Sequence, residues 1–137
     1  MRNKRTFERY GVKDLLFVHA EGSQFHALGQ VRDVAMGGIC YEYIYDGVWH
    51  PNMVTVEIFS SGRSFHMSKI PCKMVYNVPG AMEPFSTLWT RVCGLQFLRF
   101  TRDQERALWT FIYSKLLSEV SQELLQAVRN GEHVVLM

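Results

Sequence analysis

Two arginines four positions apart, Arg5 and Arg9, stand near the start of the chain in the stretch Arg5-Thr6-Phe7-Glu8-Arg9. Further on comes Asp33-Val34-Ala35-Met36-Gly37-Gly38, an acidic residue followed by a glycine pair between two apolar runs. A guanidinium is a planar fork. It donates two parallel hydrogen bonds to the O6 and N7 acceptors of guanine, stacks on a purine face, or grips phosphate oxygens bidentately. A carboxylate has the opposite chemistry and accepts from the N1 and N2 donors of guanine. Gly37-Gly38 offers φ > 0 and close approach of backbone to a ligand. In this order the residues compose the two halves of a clamp for a guanine nucleotide. Each alone has a plainer reading: Arg-x-x-x-Arg as a solvated basic face, and Asp before Gly-Gly as a hairpin turn.

The elements that must position these residues are mostly strands. Lys13 to Ala20 reads as a first strand, with Glu21-Gly22-Ser23 as its turn. Phe25 to Val34 and Gly38 to Tyr45 read as two strands joined by the glycine motif, and Asp46-Gly47 as another turn. Asn52 to Phe59 alternates clearly, and Ser60-Ser61-Gly62 turns the chain. Phe65 to Val78 is a longer strand with a bend or bulge expected at Pro71. After a loop over residues 79–84, Phe85 to Phe100 reads as the last strand, with Gly94 a close-approach site. Many short strands between turns predict a small antiparallel barrel.

The period then changes. Thr101 and Gln104 have the spacing of a capping box, and Asp103 and Glu105 suit the positive end of a helix. The helix is expected to run to about Arg129 and stop at Asn130-Gly131. Trp109, Ile112 and Leu116 form one stripe, expected to pack on the barrel. Tyr113, Leu117, Val120, Leu124 and Ala127 form a second, heptad-like stripe. That seam either covers more of the barrel or serves dimerisation or docking.

With 137 residues, 47% hydrophobic and 20% charged, the chain has the composition of one globular domain. A net charge of +2 supplies no polyanion field, which argues against a long nucleic acid partner. Positive charge does cluster at Arg2, Lys4, Arg5 and Arg9, as a small anionic ligand requires. Three scattered cysteines, Cys40, Cys72 and Cys93, with no C-x-x-C, argue against disulfides or zinc and for a cytoplasmic protein. No leader-like apolar run and no stretch of membrane-spanning length stands out. His19, His26, His50, His66 and His133 carry no metal-ligand spacing, and read as scattered surface or strand residues. Trp49, Trp89 and Trp109 are expected in the core or at barrel ends, and Arg91 and Arg99 at outward strand positions.

The two motifs together resemble those of the PilZ domain family of cyclic di-GMP receptors. Arg-x-x-x-Arg falls on Arg5 and Arg9; Asp/Asn-x-Ser-x-x-Gly falls on Asp33, Ala35 and Gly38. Ile39-Cys40-Tyr41-Glu42-Tyr43 is similar to the family's next strand, and Val92 to Leu98 to its last one, followed by a helix. The resemblance covers roughly residues 5–118. It implies a mainly β fold, a six-stranded antiparallel barrel with a long C-terminal helix. The expected organisation is an arm over 1–10, flexible until ligand arrives, a barrel over 11–100, a helix over 101–130 and a tail over 131–137.

The resemblance further implies a non-enzymatic receptor that takes cyclic di-GMP as a ligand, with no cofactor and no metal, and signals to a protein partner of unknown identity. Arg5 and Arg9 would meet guanine and phosphate, Asp33 a guanine edge, and Gly38 would admit backbone. Lys4, just before the first arginine, bears on whether one or two ligand molecules bind, and Arg32 could add a phosphate contact. Ala35 replaces the family's serine, a loss of one hydrogen bond worth about 0.5–1.5 kcal/mol, or roughly tenfold in affinity. Two rival functions are an interaction scaffold that has lost the nucleotide and a small-barrel binder of single-stranded RNA, the latter disfavoured by the low net charge.

Overall fold

Buried and exposed positions alternate along the chain from Leu16 onward, the period-two pattern of strands with one dry and one wet face. The computed structural model describes residues 15–62, 64–80 and 89–131. These form β1 (Leu16–Gly22), β2 (Phe25–Val34), β3 (Gly38–Ile44), β4 (Met53–Ser60), β5 (His66–Pro79), β6 (Thr90–Phe97) and α1 (Arg102–Arg129). Every neighbouring pair is antiparallel, and the order β1-β2-β3-β6-β5-β4 closes when β4 pairs with β1. Closure leaves no unpaired sheet edge. Residues 13–14 and 85–88, expected to begin the first and last strands, and the arm and tail lie outside the described residues.

Most strand ends fall within a residue of expectation, but β6 stops at Phe97 and not at Phe100, and two local features also differ. β1 continues through Gly22, which pairs with Phe25, so the reversal is Ser23-Gln24 with Gln24 at φ 53°. Gly22 lies under Pro51, and a Cβ there would meet Pro51 Cγ at 2.7 Å. The irregularities in β5 are not at Pro71, which pairs with Thr55 in the ladder, but at Ser68 and Lys69 against β4 and at Val75 against β6. Val56 pairs with Ile70 and Ile58 with Met67, which leaves Ser68 and Lys69 as a bulge, with Lys69 at φ 57°.

The interior is filled by side chains. Val18, Ala20, Tyr41, Val56, Ile58, Ile70, Cys72 and Cys93 are fully buried. One polar pair is sealed in with them. His50 Nδ1 lies 2.7 Å from the Pro51 carbonyl, which can only accept, so Nδ1 carries the proton. Nε2 therefore accepts from the Tyr41 hydroxyl at 2.8 Å. Burial holds His50 below its ordinary value, offset in part by the bond to Pro51, and pushes the Tyr41 phenol far up. His50 is thus a core residue rather than a surface one. With Phe25, Tyr43 and His50 packed together there is no room for the tryptophans: Trp49, Trp89 and Trp109 are all exposed. Arg91 also departs from expectation. It sits on the inward-facing side of β6, opposite Tyr43, with its guanidinium 5.8 Å from both the Tyr45 and Trp49 rings.

The helix begins as its cap predicts. Thr101 Oγ1 accepts from the Gln104 amide at 3.1 Å, and Gln104 Oε1 accepts from the Thr101 amide at 2.9 Å. The Gln104 side chain also donates to Ser68 O at 2.7 Å, tying the cap to the β5 bulge. Leu108 and Ile112 are 0% exposed and Phe111 meets Phe65 at 4.5 Å, so Leu108, not Trp109, leads the packed stripe. Asn130 and Gly131, at φ 74°, end the helix.

Tyr41→Phe should leave His50 Nε2 buried without a donor and cost about 1–3 kcal/mol, read as a lower urea midpoint at neutral pH. His50 binds its proton less tightly folded than unfolded. Its contribution is therefore complete above the unfolded value of 6.5 and is lost as pH falls below it, so the wild-type midpoint should drop on the acid side.

Candidate functional site

Asp33 lies on β2 just past a register shift between Val31 and Asp33, so both Arg32 and Asp33 fall on the outer wall. Cross-strand pairing then defines a row: Asp33 pairs with Cys40 on β3, Cys40 with Gly94 on β6, and Gly94 with Tyr76 on β5. Partners in an antiparallel ladder share a face, so these four residues form one band across four strands. The neighbouring row runs Gly38, Gln96, Lys73. The row on the other side contains Glu42, which pairs with Arg32 and also accepts from Thr90 Oγ1 at 2.6 Å.

Glycines keep the middle of this wall low. A Cβ on Gly38 would run into the backbone carbonyl of Leu95, and one on Gly94 into the Tyr76 ring. Gly38 is therefore demanded by the approach of the β6 backbone. Neither Gly37 nor Gly38 adopts the positive φ that a tight glycine turn implied. The turn is held instead by the Ala35 amide donating to Gly38 O at 2.9 Å and by the Phe97 amide donating to Gly37 O at 3.0 Å.

Tyr76 was not singled out by sequence reasoning. Its partners are distant in the chain, and only the ladder reveals them. Its hydroxyl donates to Cys40 Sγ at 3.1 Å. That bond, partial burial and the nearby Asp33 carboxylate push the phenol up to about 12, so it stays a neutral donor. The wall thus offers a carboxylate, a phenol, a thiol and a Gln–Lys pair around a low glycine strip. That set can hydrogen-bond and stack a planar polar ligand. Asp33, Ala35, Gly38 and Arg32 are brought to one end of β2–β3, with Arg32 committed to Glu42. Arg5, Arg9 and Lys4 lie outside the described residues.

A six-stranded closed antiparallel barrel with a terminal helix defines a class of small β domains. The family model for the PilZ domain matches residues 3–114, most of the chain, and the chain belongs to that family. Its structure is similar to that of the PilZ domain with c-di-GMP of YcgR from Escherichia coli, at a TM-score of 0.61 and 12% identity, covering 88% of this chain and 98% of that one. At that identity the likeness is one of fold. No curated protein sequence matches the chain.

Gly38→Ala should cost about 1–3 kcal/mol, because the clash is with backbone that cannot swing aside. Gly94→Ala should cost less, since the Tyr76 ring can rotate away, but it should expose Cys40. Thiol labelling checks the pair. Cys72 and Cys93, pushed up to about 12 by burial, stay silent, while Cys40 reacts faster in the Gly94 variant than in wild type.

Proposed function

We propose that this chain is a cyclic di-GMP receptor whose N-terminal arm closes over nucleotide held against the β2–β3–β6 wall. The observation that carries the reading is the site of Asp33. Phe17 pairs with Gln30, so the chain enters the barrel level with Arg32 and Asp33, at the same end of the wall. Arg9 is six residues upstream of Leu15, within roughly 20 Å of it along the chain. The motif arginines can therefore reach a ligand that Asp33 contacts. In this reading Arg5 and Arg9 take guanine and phosphate, Asp33 reads the N1–N2 edge, and the Gly38–Gly94 strip lets the ligand lie close. Lys4 adds charge, and Arg32 reaches phosphate only by leaving Glu42.

The energetics set a requirement. Ordering five arm residues costs about 5–10 kcal/mol in backbone entropy. Charge-assisted hydrogen bonds return about 1.5–3 kcal/mol each, so roughly two to seven must form on the arm. Closing the arm changes the surface presented to a downstream protein, which is the signal. The reading is of a receptor in the cytoplasm and not a catalyst; among the described residues no helix is long and apolar enough to cross a membrane.

Titration calorimetry with cyclic di-GMP, with GTP as control, tests the proposal. Selective saturable binding is expected. Arg9→Ala should abolish it or weaken it severely, whereas Arg99→Ala, on an exposed residue beyond β6, should not. Equal effects of the two would sink the assignment. Ala35→Ser should tighten binding by up to about tenfold through one restored hydrogen bond.

A second reading, an interaction scaffold, is supported by Ala35 and by the far half of α1. Tyr113, Leu117 and Val120 are half exposed, and no residue after Ile112 on the helix is fully buried. Their four- and three-residue steps suit a second copy of the same helix. Light scattering should report a dimer that becomes monomeric in a Leu117→Glu, Val120→Glu variant. A wild-type monomer at all concentrations would remove the seam from consideration.

A further inference from the structure

We propose that His19, Glu21 and His26 form a binding site for a divalent transition-metal ion on the outer face of the β1–β2 hairpin. In the sequence these residues have no ligand-like spacing. The hairpin creates the site. His19 and Glu21 alternate onto the same outer face of β1, Glu21 pairs directly with His26 across the ladder, and His19 is the diagonal neighbour opposite Leu28. One donor atom from each of the three lies within 4.8 Å of the others. The two imidazoles stack with centroids 5.7 Å apart and planes at 26°. A tetrahedral zinc ion, with ligands at about 2.0–2.2 Å, holds its donors roughly 3.4 Å apart, so side-chain rotation must close little more than about 1 Å.

The scaffold resists any other adjustment. β1 is bonded to β2 on one side and to β4 on the other, and β2 to β1 and β3, so the Cβ positions are fixed. The donors are also uncommitted. Among the described residues, the other exposed His–Glu contact is His66 Nε2 with Glu57 Oε2 at 2.5 Å, two groups that already satisfy one another and lack a third ligand. His19, Glu21 and His26 have no such hydrogen bond or ion pair.

Two imidazole nitrogens and one carboxylate suit zinc, nickel or copper and not magnesium or calcium. Three protein ligands leave a fourth position for water or a donor from another molecule. The ion would clasp the hairpin, stabilising the folded state by mass action because the ligands scatter when the chain unfolds. The cluster begins β2 and Asp33 nearly ends it, about 23 Å away along the strand. Metal binding therefore stands or falls separately from the nucleotide site.

The experiment is calorimetric titration of tag-free, chelator-stripped protein with zinc chloride, with magnesium chloride as control, alongside thermal unfolding with and without zinc. One zinc per chain is expected, with a raised melting temperature that chelator reverses and no heat from magnesium. His19→Ala and His26→Ala should each weaken binding by about tenfold or more, and Glu21→Gln by less. His66→Ala should bind as wild type does. All are exposed or half-exposed positions, and each variant's unfolding transition checks its fold. No saturable heat up to about 100 μM zinc, or wild-type binding in the His19→Ala, His26→Ala double variant, would overturn the site.

Discussion

The return of β4 onto β1 is the constraint from which the rest follows. It bonds every strand on both sides and wraps six strands around an interior that Tyr41, Ile58, Ile70 and their neighbours fill completely. Among the described residues the inward positions are taken by buried side chains. Chemistry is exported to the outer wall and the strand ends. The wall in turn depends on closure, since Gly38 has no side chain because the β6 backbone lies against it, and Gly94 none because Tyr76 lies over it. The two barrel ends are closed differently. One is plugged by Leu108 and Ile112 of α1, the other by a desolvated Tyr41–His50 hydrogen bond among aromatic rings.

Features written in contiguous residues were legible in the sequence. β2 runs from Phe25 to Val34 as its alternation predicts, and the Thr101–Gln104 box and the Asn130-Gly131 stop bound the helix as their spacing predicts. The turn between β2 and β3 was legible for the same reason, but not its backbone conformation, since neither Gly37 nor Gly38 has a positive φ. Features created by pairing were not. Tyr76 joins the wall only because Gly94 on β6 lies between it and Cys40, and nothing local to Tyr76 announces this. The β5 bulge falls at Lys69 and not at Pro71 because register against β4, not intrinsic propensity, decides where an extra residue is absorbed. The tryptophans were expected in the core or at barrel ends, and all three are exposed, Trp49 lying against Tyr45 just beyond β3.

The helix shows how unevenly one element can be held. Leu108 and Ile112 each contribute about 1.5–3 kcal/mol by burial, enough together with the cap to dock the first turns. Beyond Leu116 the helix meets little of the barrel and keeps its apolar side chains half exposed, which an isolated stretch of this length tolerates poorly. Its outer turns are therefore the part of the described fold with most to gain from a partner.

Under the receptor reading, closure also restricts how a ligand can act at a distance. Shifting one strand of a closed sheet means breaking ladder bonds on two sides, each worth about 0.5–1.5 kcal/mol net. A ligand lying on the wall has too little differential binding energy to deform it. The β5 bulge offers no easy path either, since Gln104 fastens Ser68 to the helix cap. What a wall-bound ligand can reorganise is whatever lies at the wall's end without being in the ladder, and the chain enters β1 at that end, level with Asp33. A barrel bonded on both sides of every strand thus disfavours signalling through the core.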